Sequence, residues 1–435
     1  MQKYDFIKKL NTSTQEIFID TVKGRHPANE IIPVKGRWKW DNKRKYHYAP
    51  GLPFLKATAK LLFKKHKDKP YDGNVFCEFS APKVLYGHNV CGIFNKNIEA
   101  LFRKPKELLT DYSIDIDLAA IPVDFRNFDV TRIDLSLCFF PKDDDEQQEF
   151  LRLFRNMYFE NLTPGKSCSE EYDYENGFAH TSQKLDIVMY DKVLQLYNED
   201  PKLHIEDINL LRLEFRCKGP CKGDAYWYGN SFEYTVKKAN GLLAKKLERY
   251  HFDLPIVPIK DYKTIITNCY ESKKAEFKDK PSEKPLYLKS KLDTLLKKMK
   301  QINKEGCYKF HHASSTNRCY YNRCIQLATD AGIHILYTKL DHEISFIDDV
   351  CFHKDLYRVF GATADDFVAD EINEKASVRN KFLTPTLPRE FISAVEKINI
   401  THSFIPYKRN IPRYIDNRFK GYVPFKKAVP YHRLI

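Results

Sequence analysis

With 435 residues, 43% of them hydrophobic and 30% charged, the chain is too long for one ordinary compact domain and too apolar for a disordered polymer. No run is long and apolar enough to span a bilayer, and the opening MQKYDFIKKLNTST lacks the apolar core of a secretory signal, so a cytoplasmic protein with no membrane partner is expected. The net charge of +14, from 72 Lys and Arg against 58 Asp and Glu, favours a polyanionic partner, of which nucleic acid is the commonest. The 11 cysteines are an odd, irregularly spaced set and suit reduced thiols better than a disulfide framework.

Along the chain, GRWKWDNKRKYHYAP (36–50) interleaves Arg37, Lys39, Lys43, Arg44 and Lys45 with Trp38, Trp40, Tyr46 and Tyr48. Cations for phosphates beside aromatic faces for bases are what single-stranded nucleic acid needs; the same pattern also suits an edge hairpin with a basic solvent face. NVFCEFS (74–80) reads as a strand, and FDVTRIDLSLCFF (128–140) as a stronger one stopped by Pro141. DDDEQQEFLRLFRNMYF follows with an acidic start and Phe150, Leu151, Phe154 and Tyr158 at helical spacing, which predicts a helix. EEYDYENGFAHTSQKLDIVMYDK predicts a hairpin turning at Asn176-Gly177. INLLRLEFRCK (208–218) is a further strand and EYTVKKANGLLAKKLERY (233–250) a further helix. Strands and helices mix without βαβ alternation, so the expected class is α+β on an antiparallel sheet.

ESKKAEFKDKPSEKP (271–285) is charged, carries two prolines and lacks an apolar rhythm, and is read as a linker between a domain over 1–270 and a smaller, mainly helical module over 286–435. KLDTLLKKMKQI, NRCYYNRCIQLATDAG, KDLYRVFG and REFISAVEKI supply that module's helices. From Thr401 onward there are eight Lys and Arg and one Asp, with aromatics among them, which fits an electrostatic arm or a solvated end.

Alternation along the strands assigns their faces, because residues at i and i+2 point the same way. In TRIDLSL, Ile133, Leu135 and Leu137 oppose Arg132, Asp134 and Ser136; in LLRLEFRC, Leu211, Leu213 and Phe215 oppose Arg212, Glu214 and Arg216. In NVFCEFS, Val75, Cys77 and Phe79 oppose Phe76, Glu78 and Ser80, and in LDIVMYDK, Leu185, Ile187 and Met189 oppose Asp186, Val188, Tyr190 and Lys192. If the four share a sheet, their polar faces pool Glu78, Asp134 and Glu214 around Tyr190 and Lys192. Carboxylates so placed suit Mg²⁺ or Mn²⁺, which would polarise a phosphodiester while Tyr190 attacks and Lys192 offsets the developing charge. The bland alternative is a solvated sheet face whose R-x-D and R-x-E residues form cross-strand ion pairs.

At these residues the sequence resembles a known family. SAPKVLYGHNVCG (80–92), TRIDLSL, VMYDK and LLRLEFR stand in the order found in the gene II replication proteins of filamentous bacteriophages, and SSTNRCYYNRCIQLATDAGI (314–333) resembles that family's gene X portion. The resemblance covers roughly residues 70–365 and is weak at both ends; KVLYGHNV is its most specific piece. It implies a Rep/HUH-like rolling-circle initiator, a metal-dependent endonuclease and strand transferase in the host bacterial cytoplasm. Such proteins nick the plus strand of double-stranded replicative-form DNA, stay joined to the 5′ phosphate through tyrosine, leave a 3′-OH for the host DNA polymerase, and rejoin the displaced single strand.

The family tyrosine falls on Tyr190, and the strand carboxylates on Asp134 and Glu214. The chain departs from the HUH pattern, because no His-apolar-His pair occurs; His88 in YGHNV is the histidine candidate for a metal ligand, or serves the backbone of a Gly-His-Asn turn. Glu78 completes the candidate ligands. Lys83 is a candidate phosphate contact, and Arg132, Arg212 and Arg216 join the 36–50 segment as candidate DNA contacts. One tyrosine in the motif leaves strand closure to a second nucleophile, a second protomer of a homodimer, or reuse of Tyr190. No phosphate-binding G-x-x-x-x-G-K-[ST] loop is present, so unwinding falls to a host helicase. Cys217 and Cys221 are read as free thiols rather than half a zinc site, and Cys319 and Cys324 as core residues. Met299 lies just ahead of the matching C-terminal portion, which the family also expresses from an internal start. Two other classes compete: a non-catalytic DNA-binding replication regulator, and a mobilisation relaxase using the same chemistry.

Overall fold

A computed structural model of the protein describes residues 16–28, 39–41, 46–48, 55–61, 73–86, 89, 92–111, 125–165, 177–199, 209–221, 224–277, 287 and 290–346. In chain order come β1 (Glu16–Ile17), β2 (Ile19–Ala28), β3 (Lys39–Asp41), β4 (Tyr46–Tyr48), β5 (Leu55–Leu61), β6 (Gly73–Ser80), α1 (Ala81–Tyr86), β7 (Ile93–Phe94) and α2 (Ile98–Asp111). Then follow β8 (Asp129–Phe139), α3 (Asp144–Asn156), β9 (Thr163–Pro164), β10 (Gly177–Thr181), β11 (Leu185–Asp191), α4 (Lys192–Glu199) and β12 (Leu211–Cys217). The remaining helices are α5 (Phe232–Arg249), α6 (Ile259–Glu276), α7 (Leu292–Glu305), α8 (Cys307–Ala313) and α9 (Ser315–Asp330). The class is α+β, as expected. Among the described residues ten strands form one antiparallel sheet in the order β3-β4-β5-β6-β2-β8-β12-β11-β10-β9, and β1 pairs with β7 separately.

The alternation read from the sequence becomes register here. Leu135 of β8, Phe215 of β12 and Ile187 of β11 stand abreast, as do Leu137, Leu213 and Met189. These residues are buried in one core with Phe150 and Phe154 of α3 and Val236, Leu243 and Leu247 of α5. Each such side chain contributes roughly 1.5–3 kcal/mol by leaving water. Edge-to-face pairs such as Phe139 with Phe150 (5.2 Å) and Phe79 with Phe232 (5.8 Å) fix the helices against the sheet. Helix α3 starts where the acidic run implied, with the Asp143 carboxylate accepting from the Glu146 amide at 2.8 Å.

Two expectations need correction. The hairpin turns not at Asn176-Gly177 but at 182–184, because the Ser182 hydroxyl accepts from the Lys184 and Leu185 amides and Gly177 is already paired in β10 opposite Tyr190. The linker set at 271–285 also begins too early. Residues 271–276 complete α6, and Phe277 is buried against Tyr287.

Among the described residues one hydrophobic core runs through the sheet and the C-terminal helices. Residues 331–346 return from α9 to the sheet domain, bridging Thr338 to Pro258 and Ile344 to Ile256, and Phe346 packs on Phe139 and Phe150 at 6.1 and 5.0 Å. Cys324 is buried as expected, whereas Cys319 is exposed on α9; Met299, ahead of residues 314–333, is buried within α7. KDLYRVFG, REFISAVEKI and the basic tail lie outside the described residues. Among the described residues no helix is long and apolar enough to cross a membrane.

Candidate active site on the polar face of the sheet

The four strands do share the sheet, and their second faces meet. Register sets Arg216 opposite both Asp134 and Asp186, Glu214 opposite Ser136 and Val188, and Arg212 opposite Cys138 and Tyr190. Strand β2 joins them through an irregularity. Its pairing with β8 shifts between Ile19 and Val22 and again between Lys23 and Gly24, so Asp20 and Lys23, an odd number of residues apart, both reach this face.

Tyr190, 1% exposed, lies at the centre. Its ring packs with Val188 and Ala179, and its hydroxyl donates to Glu214 Oε1 at 2.5 Å. The other Glu214 oxygen takes Arg216 Nη2 at 2.8 Å and Nε at 2.9 Å, while Arg212 Nε lies 3.3 Å from Oε1. Burial alone would raise the Glu214 carboxyl; Arg216 and Arg212 outweigh it and hold the group well below its ordinary range. Arg212, 1% exposed, also donates to Ser136 Oγ at 2.6 Å and to the Asn89 carbonyl, and lies 3.6 Å from Asp20.

Lys192 is fully buried, 0% exposed, and donates to Asn89 Oδ1 at 2.9 Å and Gln195 Oε1 at 2.6 Å. Between it and the tyrosine, Asp191 ends the strand and caps α4, accepting from the Leu194 amide at 3.0 Å and from Gln147 at 3.1 Å. Burial pushes the Asp191 carboxyl up to about 6. The strand-to-helix switch at Asp191 thus fixes the spacing of Tyr190 and Lys192.

Asp134 is chelated by its neighbour, Arg132 Nε and Nη2 lying 2.9 and 2.7 Å from its two oxygens, and burial pushes its carboxyl up to about 6 against the pull of that guanidinium. Glu78 faces Lys23 at 3.2 Å and Arg132 at 3.9 Å. A hard divalent cation needs carboxylate oxygens turned to it, and the oxygens of Asp134 and Glu214 are turned to guanidinium and phenol instead. Among the described residues no three His, Cys, Asp or Glu side chains gather as a metal cage, and His88 lies outside those residues. As placed, the strand carboxylates do not fit a divalent cation.

The candidate DNA contacts divide sharply. Arg212 and Arg216 are buried struts of the polar face and do not reach the surface; Arg132 is half-buried. Lys83 is on the short helix α1, partly buried, rather than in an exposed loop. Lys39 and Trp40 are on β3, which pairs with β4 at the sheet edge as an edge hairpin would; Arg37, Trp38, Lys43 and Arg44 lie outside the described residues.

Sequence reasoning missed Asp20, Asn89, Gln195 and Asp191. Asp20 escaped because no strand is read over residues 19–28, where Gly24 and Pro27 interrupt the pattern, and Asn89 because its neighbour His88 looked more reactive. Asp191 had a readable signal, a capping residue before the helical stretch KVLQLYNE.

Chemically the face offers a phenol already hydrogen-bonded to an ionised carboxylate, with two guanidiniums and an ammonium around them. It can accept the phenol's proton and stabilise added negative charge. No protein-family model matches the chain, and no curated protein matches it.

Proposed function

We propose that the protein is a DNA nicking and joining enzyme with Tyr190 as nucleophile, an initiator of rolling-circle replication of the kind the gene II resemblance implies. The observation that carries this is the 2.5 Å hydrogen bond from the Tyr190 hydroxyl to Glu214 beside Arg212 and Arg216. Tyr190 Oη attacks the phosphorus while its proton passes along that bond to Glu214. The P–O3′ bond breaks with its electron pair on the departing oxygen, which takes the proton back from Glu214. The 5′ end is left as a phosphotyrosine, and the step reverses by the same route, as strand joining requires.

Glu214 is a weak base while Arg216 and Arg212 hold it. An incoming phosphate that draws either guanidinium toward itself raises the carboxyl's affinity for the proton as the attack begins. Because Tyr190 is buried, the polar face must open to admit a strand. Replicative-form duplex and its plus strand as substrates, and host helicase and polymerase as partners, belong to the same proposal. So does the requirement for Mg²⁺ or Mn²⁺, for which no ligand set is assigned.

The test is incubation of the full chain with a randomised single-stranded DNA pool under Mg²⁺, Mn²⁺ or EDTA. Denaturing gels report adducts, and mass spectrometry maps them. An adduct on Tyr190 that Tyr190→Phe abolishes supports the proposal; an adduct persisting in that variant, or none under any condition, sinks it. One observation favours a second reading, a non-catalytic DNA-binding regulator: every charge around Tyr190 has a partner and the phenol is sealed from solvent. In that case Tyr190→Phe costs stability and changes nothing in DNA binding.

A further inference from the structure

Away from Tyr190, a second charged surface is built on α7, α8 and α9. Between residues 294 and 329 there are seven Lys and Arg and a single acid, Glu305. The three helices share one core through Leu295, Met299, Ile302, Phe310, Tyr321, Cys324 and Leu327. They are joined by single residues. Gly306 adopts φ +89°, a conformation closed to side chains, and Ser314 is extended, its hydroxyl accepting from the Asn317 amide at 3.0 Å to start α9.

Helix α9 buries Tyr321, Cys324, Leu327 and Ala328. Its other face exposes Thr316, Arg318, Asn322, Arg323 and Gln326. Around this face, Lys298 of α7 and Arg323 lie over the Tyr320 ring at 5.5 and 5.7 Å. Lys300 and Lys304 of α7 and Lys309 of α8 are exposed. Among the described residues none of the seven cations is ion-paired with an acidic side chain, whereas those of the sheet's polar face are.

We propose that α9 is a duplex-DNA reading helix, a second nucleic-acid interface separate from the Tyr190 site and independent of its chemistry. The major groove admits one α-helix, and Arg, Asn and Gln are the side chains that pair bidentately with guanine and adenine edges there. Flanking lysines match the phosphate rows on either side. Single strands are the poorer fit, because base stacking needs open aromatic faces and the Tyr320 ring is covered by Lys298 and Arg323.

The test is fluorescence anisotropy of the full chain with a labelled duplex of about two helical turns and with one of its strands alone. Arg318→Glu with Arg323→Glu is expected to weaken duplex binding at least tenfold and lower the slope of log affinity against log salt by about 2, while single-strand affinity changes less than twofold. Thr316→Ala with Asn322→Ala is expected to relax the discrimination among duplex sequences and leave the salt slope unchanged. Unchanged duplex affinity in the charge-reversed protein, or an equal loss on the single strand, overturns the proposal. The charge-reversed protein is expected to keep forming the adduct with the single-stranded pool, so failure of the nicking chemistry and failure of this interface are read separately.

Discussion

The sheet's polar face and the outer face of α9 are both rich in arginine, yet they hold it in opposite ways. Arg212 is sealed between β8 and β11 with oxygen partners on several sides, and Arg318 stands in water. Burying a charge costs several kcal/mol unless partners replace the lost water, so inside the sheet every arginine is committed to a geometry. On α9 that cost is not incurred, and the charge is free to meet a polyanion, at the expense of being screened by salt. The residue type is the same; solvation divides a buried scaffold from an open charged surface.

The strongest way to break this contrast is to remove the shared anion of the buried face. Glu214→Ala leaves Arg212 and Arg216 without their carboxylate and is expected to cost about 3–5 kcal/mol, read by urea unfolding. A cost under about 1 kcal/mol would mean that water already reaches the face. Tyr190→Phe removes one hydrogen bond to a charged acceptor and is expected to cost about 1.5–3 kcal/mol alongside loss of the DNA adduct. A double-mutant cycle with Glu214→Gln gives the coupling between them.

Gly306→Ala forces a side chain into a conformation only glycine tolerates, with Asn156 Oδ1 3.2 Å from the new Cβ, and is expected to destabilise by about 1–3 kcal/mol. Arg318→Glu on the open face comes last. Its melting transition is expected to move by no more than about 0.5 kcal/mol equivalent, even though DNA affinity falls.

Acidity sharpens the contrast further. Asp191 and Asp134 have carboxyls raised from 3.8 to about 6 by burial, so the folded protein holds more protons than the unfolded chain in that window. Their stabilisation is complete below 3.8 and is lost as pH rises through about 6. Glu214, depressed, acts in the other direction, contributing above its ordinary value and losing that contribution as pH falls through its folded one. Asp191→Asn keeps a capping side chain and removes the titration. Its melting temperature is therefore expected to fall less than that of the parent between pH 4 and 6.

Much of this was legible in the strands. Alternation in TRIDLSL, LLRLEFR and LDIVMYDK predicted which side chains meet, because a period of two is a property of the extended backbone itself. Alternation is silent on what covers the second face, so a solvated ion-pair surface and a buried network read alike. Asp20 stayed hidden because β2, with Gly24 and Pro27 inside it, is not read as a strand at all, and the shifts in its pairing break the parity on which face assignment depends. The hairpin was misplaced because an Asn-Gly pair outweighed a serine whose hydroxyl closes the real turn at Ser182.

The burial of Met299 bears on how a shorter product of the same gene would behave. Translation begun at that codon would omit the first half of α7, including the buried Leu295, whose carbonyl faces the Cys324 thiol at 3.8 Å. The truncated chain would present α8 and α9 with one wall of their core missing. It would also lack Pro258 and Ile256, to which residues 338–344 are tied. Such a chain would open the Cys324 side of α9 to water, so α8 and α9 would be less stable there than in the full chain.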